Sequence, residues 1–405
     1  MQDLRKFLPF PQAQSDSKYY NTGHYTPHKK GEIFELRQDL NSKSLTRRID
    51  AMKAVIASMT IGKDVSSLFP EVIKCICTSN LELKKLAYLY LTHYAQTQPD
   101  LVILAVNTFC LDATATAEGP IVRALAIRTM GNLRVARILD HICDPLKHAL
   151  KDPSAYVRKT AALCIPKIFE LSPALVEEFG FAEELIEMLV SSSNPMVVSN
   201  ACAALNEMSK LCISSSSLLF QLLSALNDCT EWGQVALMEC LASYTPKDAE
   251  EALHILIHVT PRLNHVNSAV VMASVRIIYQ ICCAGENGFL DEEHSTFYLS
   301  RIVSPLLSLL SSTSYSQEIV YCTLRTLKMM FVSCTCKWWN ELFGKNAIPL
   351  FFCKYTDPIW VKREKVEILQ LLASTQQQEN APIIVAEFLE YCQEGDLRRS
   401  CIGDL

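Results

Sequence analysis

Apolar positions along this chain recur with the period of an α-helix, and one polar-to-apolar phrase returns every few dozen residues. Within Tyr156–Ile168, Val157, Ala161, Cys164 and Ile168 fall at i, i+4, i+7 and i+11, which is one face of a helix whose end Pro166 is expected to kink. Related phrases occupy NLELKKLAYLYL (80–91), GPIVRALAIRTM (119–130), PSAYVRKTAALCI (153–165), NPMVVSNACAAL (194–205), NSAVVMASVRII (267–278), SQEIVYCTLRTL (316–327) and DPIWVKREKVEIL (357–369). Anchored on Leu83, Val122, Val157, Val197, Val270, Val320 and Val361, the phrases are separated by 39, 35, 40, 73, 50 and 41 residues. The 73 is close to twice the others, which predicts one degenerate unit inside it.

Asp152-Pro153, Asn194-Pro195 and Asp357-Pro358 open three of the windows. They are expected as helix starts, because the acidic or amide side chain accepts an orphan N–H and proline fits the first turn. Small residues (Ala124, Ala126, Ala161, Ala162, Ala201, Ala203, Ala204) mark where helices approach closely. A second helix accompanies each window, as in 182–190, 217–226 and 304–310. Units of 35–40 residues built this way are stacked helix pairs. One pair cannot cover its own apolar stripe, but a neighbour can, at roughly 1.5–3 kcal/mol per large side chain buried. The expected fold is all-α: a HEAT/armadillo-like α-solenoid, a superhelix of antiparallel helix pairs with a concave surface for partners. The alternative is an ordinary helical bundle. No linker divides the array. Residues 1–30 are expected as an extended or disordered arm, 31–392 as the solenoid trunk and 393–405 as a tail.

Composition narrows the function. The chain has 405 residues, is 49% hydrophobic and holds only 12 glycines, which argues against a turn-rich β fold or a glycine-rich nucleotide fold. A formal net charge of −5 disfavours nucleic acid as a partner. No stretch reaches the ~18 apolar residues of a membrane span, and the start lacks a signal-type apolar core. The 17 cysteines are scattered; Cys164, Cys202, Cys240 and Cys322 sit in apolar runs and are expected as small buried hydrophobes. Cys75/Cys77 and Cys334/Cys336 are CxC pairs without a second half, so no metal or cofactor is expected. His254 and His258 share a helix face but lack the glutamate of a HExxH site. TIGKD (60–64) and GENG (285–288) are not phosphate loops. Nothing points to catalysis, and the chain is not expected to be an enzyme. Lys29-Lys30, Arg47-Arg48 and Lys84-Lys85 are solvated helix faces or contacts to anionic phospholipid at ~1 kcal/mol per basic residue. Arg123 and Arg158, each following its anchor valine, are expected to bridge repeats or lie over their faces.

The phrases KKGEIFELRQDLN (29–41), MTIGKDVSSLFPEV (59–72), NLELKKLAYLYLTHYAQTQPDL (80–101), SNPMVVSNACAAL (193–205), CTEWGQ (229–234), YTPKDAEEA (244–252), VTPRLNHVNSAVV (259–271) and YTDPIWVK (355–362) resemble beta-adaptins, the beta large subunits of clathrin-associated adaptor complexes. The likeness runs from about residue 15 to 392. It is closer to the beta subunits of the trans-Golgi and plasma-membrane adaptors than to non-clathrin ones. It implies a non-catalytic vesicle-coat subunit of vesicle-mediated intracellular protein transport. Such a subunit pairs with a second large adaptin, holds medium and small subunits, and meets phosphoinositides and an Arf-class GTPase. Its place is the cytoplasm, peripherally on trans-Golgi, endosomal or plasma-membrane coated vesicles. By the same resemblance, Tyr19 and Tyr20 match an aromatic pair that occupies a cargo pocket, and Ile103 and Val106 are apolar contacts to the GTPase. If both of the last two lie inward, they are core residues instead. Clathrin recruitment belongs to a hinge beyond the matched phrases and is not expected of these residues. A transport receptor or scaffold of the same architecture, importin-like and unrelated to coats, is the alternative function, with an unrecognised cysteine enzyme as a third.

Overall fold

The computed structural model describes residues 31–115, 119–209, 216–283, 290–311, 316–333, 348–375 and 381–391. The expected arm with Tyr19, Tyr20, Lys29 and Lys30, the pair Cys334/Cys336 and the tail 393–405 lie outside the described residues. Every regular element among the described residues is helical.

The chain forms two compact units, Met1–Ile186 and Glu187–Leu405. The first contains α1 (Glu32–Leu40), α2 (Leu45–Thr60), α3 (Phe69–Ile76), α4 (Leu81–Tyr94), α5 (Pro99–Thr114), α6 (Pro120–Asn132), α7 (Leu139–Leu150), α8 (Ala155–Ala162), α9 (Ile165–Leu171) and α10 (Pro173–Glu178). Helix α11 (Phe181–Ser191) carries the boundary between units, so no loop marks it. The second unit contains α12 (Pro195–Glu207), α13 (Ser216–Asp228), α14 (Glu231–Ala242), α15 (Ala249–Val259), α16 (Ser268–Cys282), α17 (Glu292–Ser311), α18 (Gln317–Ser333), α19 (Ile359–Thr375) and α20 (Ala381–Tyr391).

In the first unit α2, α4, α6 and α8 pack side by side in one layer, while α1, α3, α5 and α7 form the opposite layer. In the second unit α12, α14, α16, α18 and α19 form a layer of their own. Except for α2 and α14, these repeat-layer helices are the windows read from sequence. The layer exists because each window places its anchor inward: Leu83, Val122, Val157, Val197, Val270, Val320 and Val361 are all buried. In α4, α6, α8, α12 and α16 the anchor is the third residue after the N-cap. Three of those caps are asparagines whose side chains accept from the backbone: Asn80 from Leu83 N (2.9 Å), Asn194 from Met196 N (3.1 Å) and Asn267 from Ala269 N (2.9 Å).

The expected degenerate unit is α14. Its N-cap is Thr230, so the anchor position falls on Gly233. A Cβ there would sit 3.1 Å from both Cys229 Cβ and Ser199 Oγ of the preceding repeat. The glycine that permits this close approach also removed the apolar landmark by which the repeat could be recognised.

Four expectations are corrected. The helix over Tyr156–Ile168 is two helices, because Pro166 serves in the first turn of α9 and not as an interior kink, yet Val157, Ala161, Cys164 and Ile168 are all buried as the spacing requires. Asp152 and Asp357 are not N-caps: Ser154 caps α8 while Asp152 Oδ1 accepts from Ser154 N at 2.7 Å, and Asp357 Oδ2 accepts from Lys354 N at 2.9 Å. Cys322 is exposed. Lys84 is not on a solvated face; it is 4% exposed and ion-paired.

Candidate partner-binding surface

Helix α5 runs beneath the first repeats and presents two faces of different chemistry. Val102, Ala105, Val106, Phe109, Asp112 and Ala113 point inward. Asp112 Oδ2 lies 2.8 Å from Lys84 Nζ of α4 and also accepts from Tyr88 Oη. The Tyr88 ring meets Phe109 edge to face at 4.8 Å between centroids. This buried cluster of a cation, an anion, a phenol and an aromatic ring fixes the rotation of α5 against α4, since burying either charge unpaired costs several kcal/mol.

That rotation decides the outward face. Ile103 is 43% exposed, and Leu104, Asn107 and Leu111 are exposed beside it. At 100° per residue they span one side of the helix, a partly apolar stripe. Val106 faces the core at 7% exposure. The residues singled out from sequence therefore separate: Ile103 lies on the surface and Val106 supports it from beneath. Leu104 and Leu111 were missed, because an apolar run such as DLVILAVNTF does not reveal which of its residues face out.

Of the two arginines that follow an anchor valine, Arg123 bridges repeats and Arg158 closes the start of its own. Arg123 of α6 binds Asp152 through two bonds, Nε to Oδ2 at 2.8 Å and Nη2 to Oδ1 at 3.1 Å, so it ties α6 to the start of the next repeat. Its pKa is raised by the hydrogen bond to Asp152 and by that carboxylate's charge, against burial. Arg158 donates to the carbonyls of Asp152 (2.7 Å) and Pro153 (3.0 Å). The His254 ring meets His258 at a tilt with centroids 4.5 Å apart and Phe220 edge to face at 4.6 Å, and His258 Nδ1 lies 2.9 Å from the His254 carbonyl. Among the described residues no group of three histidine, cysteine or acidic side chains is placed to hold a metal ion. Burial raises the thiol pKa of Cys164 to about 11, away from the thiolate a nucleophile needs. No helix among the described residues is long and apolar enough to cross a membrane.

The helical repeats, their caps and their inter-repeat ion pairs define an α-solenoid of the HEAT-like class. The backbone resembles a homology model of the full-length AP-3 complex in an intermediate open conformation, with a TM-score of 0.54 at 18% identity, over 97% of this chain and 65% of that one. It also resembles the crystal structure of an engineered protein, with a TM-score of 0.51 at 17% identity, over 91% of this chain and 97% of that one. The model of the adaptin N terminal region matches residues 28–405, and the chain belongs to that family. It is 46% identical to the mouse AP-1 complex subunit beta-1 over 389 residues, which is 95% of this chain and 39% of that protein. It is 44% identical to the Dictyostelium discoideum AP-1 complex subunit beta over 388 residues, again 95% and 39%. The Saccharomyces cerevisiae AP-1 complex subunit beta-1 is 40% identical over 372 residues, 90% of this chain and 49% of that protein. The chain thus corresponds to the N-terminal trunk part of beta-adaptins and spans well under half the length of the first two relatives.

Proposed function

We propose that this chain is a non-catalytic, beta-type scaffold of a clathrin adaptor complex, acting in vesicle-mediated intracellular protein transport. The observation that carries this reading is the alignment of 95% of the chain with AP-1 beta subunits at 44–46% identity. In this reading the trunk pairs with a second large subunit, supports medium and small subunits, and works in the cytoplasm on trans-Golgi, endosomal or plasma-membrane coated vesicles. The exposed stripe of α5, with Ile103 and Leu104 outward and Val106 beneath, is the surface offered to an Arf-class GTPase. Lys29 and Lys30 are offered to anionic phospholipid, and Tyr19 and Tyr20 to a cargo pocket.

Co-purification of the tagged chain from cytosol tests the assembly. Recovery of large, medium and small adaptor subunits is the expected result, and a folded chain that recovers none of them overturns the reading. Ile103→Glu with Leu104→Glu tests the GTPase surface separately. The expected outcome is lost binding to the GTP-loaded protein with an unchanged melting midpoint, because both residues are exposed.

A further inference from the structure

The repeat layer of the second unit is not uniform. The windows of α16 and α18 are anchored on Val270 and Val320, 50 residues apart, where most neighbours are 35–41 apart. The extra length includes α17, at 20 residues the longest helix described. Helices α16 and α18 pack on each other far less than α12 on α14, α14 on α16 or α18 on α19. One of the contacts that remain between them is Thr323 Oγ1 to Met272 Sδ at 3.8 Å. The result is a groove of about 670 Å³ across α14, α16 and α18.

The walls of this groove have a specific chemistry. Ala269 and Ala273 of α16 lower its middle, while Met238, Met272, Met329 and Met330 line it. Met329 is 63% exposed, so the apolar lining of the groove reaches solvent at the α18 side. Methionine suits an adaptable apolar surface, being unbranched and polarizable. Arg276 of α16 and Arg325 of α18 border the same groove, and Glu239 borders it on α14. All three are exposed, and none forms an ion pair or hydrogen bond among the described residues. Lys84 and Arg123 in the first unit, and Lys328 and Lys365 in the second, are by contrast paired with carboxylates.

We infer that this groove is a docking site for an amphipathic helix of a partner protein, seated with its apolar face on the methionines and its acidic residues over Arg276 and Arg325. The charges give the seat a direction, since Glu239 repels acid at the α14 side and the two arginines attract it at α16 and α18. An anionic bilayer is a poorer occupant, because a flat surface meets the rims but not the alanine-lined floor, and Glu239 faces it there. The inference goes beyond the coat reading and does not depend on assembly with other subunits.

The test uses the full chain and a fluorescent synthetic helix with leucine at i, i+4 and i+7 and glutamate on the flanking positions. Its counterpart carries lysine in place of glutamate. The glutamate helix is expected to bind at least about tenfold more tightly than the lysine helix, since close like-charge contacts penalise the latter. Arg276→Gln and Arg325→Gln should each weaken it about two- to fivefold, the range of an exposed ion pair. Glu239→Gln should strengthen it by about twofold on the same scale. Met329→Ala should weaken both helices. These residues are exposed, so an unchanged melting midpoint separates lost docking from lost folding. Equal binding of the two helices, no binding at about 1 mM (a ceiling near 4 kcal/mol), or indifference to the Arg276/Arg325 double variant overturns the site. So does preferential capture of phosphatidylserine vesicles through the same two arginines.

Discussion

Lys84 of α4 and Arg123 of α6 in the first unit, and Arg276 of α16 and Arg325 of α18 in the second, sit on helices of the same repeat but are treated oppositely. Where repeats follow one another at 39 and 35 residues, Lys84 is buried against Asp112 and Arg123 is clamped to Asp152. Where the spacing stretches to 50, Arg276 and Arg325 stand exposed and unpaired among the described residues. In this closed region Lys84 takes its partner from the facing helix and Arg123 from the following repeat. In the open region Lys328 of α18 still pairs with Glu364 and Glu367, but Arg276 and Arg325 join no such pair among the described residues and Met329 is uncovered. Two cations three residues apart on α18, Lys328 and Arg325, thus divide between the stack and the groove.

The sharpest way to break this comparison is to remove the cations. Lys84→Ala leaves Asp112 buried with only the Tyr88 hydroxyl to support its charge, and should cost about 3–5 kcal/mol. Lys84→Met with Asp112→Leu should recover most of that loss, because an apolar pair removes the orphan charge. Arg276→Ala or Arg325→Ala should stay within about 0.5 kcal/mol of the parent. Urea midpoints for the four variants decide the matter. If Lys84→Ala proves as mild as Arg276→Ala, the closed and open regions do not differ in the way described.

A second, smaller contrast concerns the glycines of α6 and α14. A Cβ on Gly131 would meet Cys164 Sγ at 2.9 Å and Cys164 Cβ at 3.0 Å, whereas one on Gly233 meets its neighbours at 3.1 Å and beyond. Both therefore mark close approach of successive repeats, but the first contact is tighter. Gly131→Ala should cost about 1–3 kcal/mol through overpacking, and Gly233→Ala should lie at the low end of that range. Adding Cys164→Ala should relieve only part of the Gly131→Ala penalty, because the sulfur contact disappears while the Cβ contact stays. Thermal midpoints showing Gly233→Ala to be the more damaging would reverse the order of packing tightness.

These residues also show what the sequence could and could not disclose. The anchors were legible because a buried valine three places after a helix cap is a local signal, readable within one turn. The family phrases were legible over most of the chain. Lys84 was misread because its partner Asp112 lies on the facing helix, and a reading along one helix face cannot see the layer opposite. Asp152 and Asp357 were misread because ion pairs engage them as well: Asp152 meets Arg123 of the preceding repeat, and Asp357 meets Lys365 eight residues on. Val106 and Ile103 share an apolar run, and only the rotation fixed by the Lys84–Asp112 pair separates them. The repeat at α14 was hidden by Gly233, though the 73-residue gap announced it. The 50-residue gap was equally visible, but its consequence, a groove with unpaired arginines, needed the length of α17 and the loosened packing of α16 on α18.

The smallest expected effect lies at His254 of α15, in the layer opposite the groove. Burial lowers its pKa below the ordinary 6.5, and the neighbouring His258 adds to that effect. Its Nδ1 is buried and has no hydrogen-bond partner, and Phe220 packs edge-on against its ring, so a proton added there gains nothing in the fold. A base with a depressed folded-state pKa binds fewer protons folded than unfolded once the pH falls below the unfolded value. The stabilisation is therefore fully present above 6.5 and is lost as the pH falls from there through the lower folded value. Because the ring is largely near solvent, the loss should be smaller than that of either glycine substitution. His254→Phe preserves the aromatic contact and removes the proton site. Comparing the melting midpoints of parent and variant at about pH 7.5 and about pH 5.5 isolates the contribution, since other titrating groups are common to both. The parent should lose more stability than the variant over that interval; an equal loss in the two proteins would show that His254 takes up its proton in the folded state as readily as in the unfolded chain.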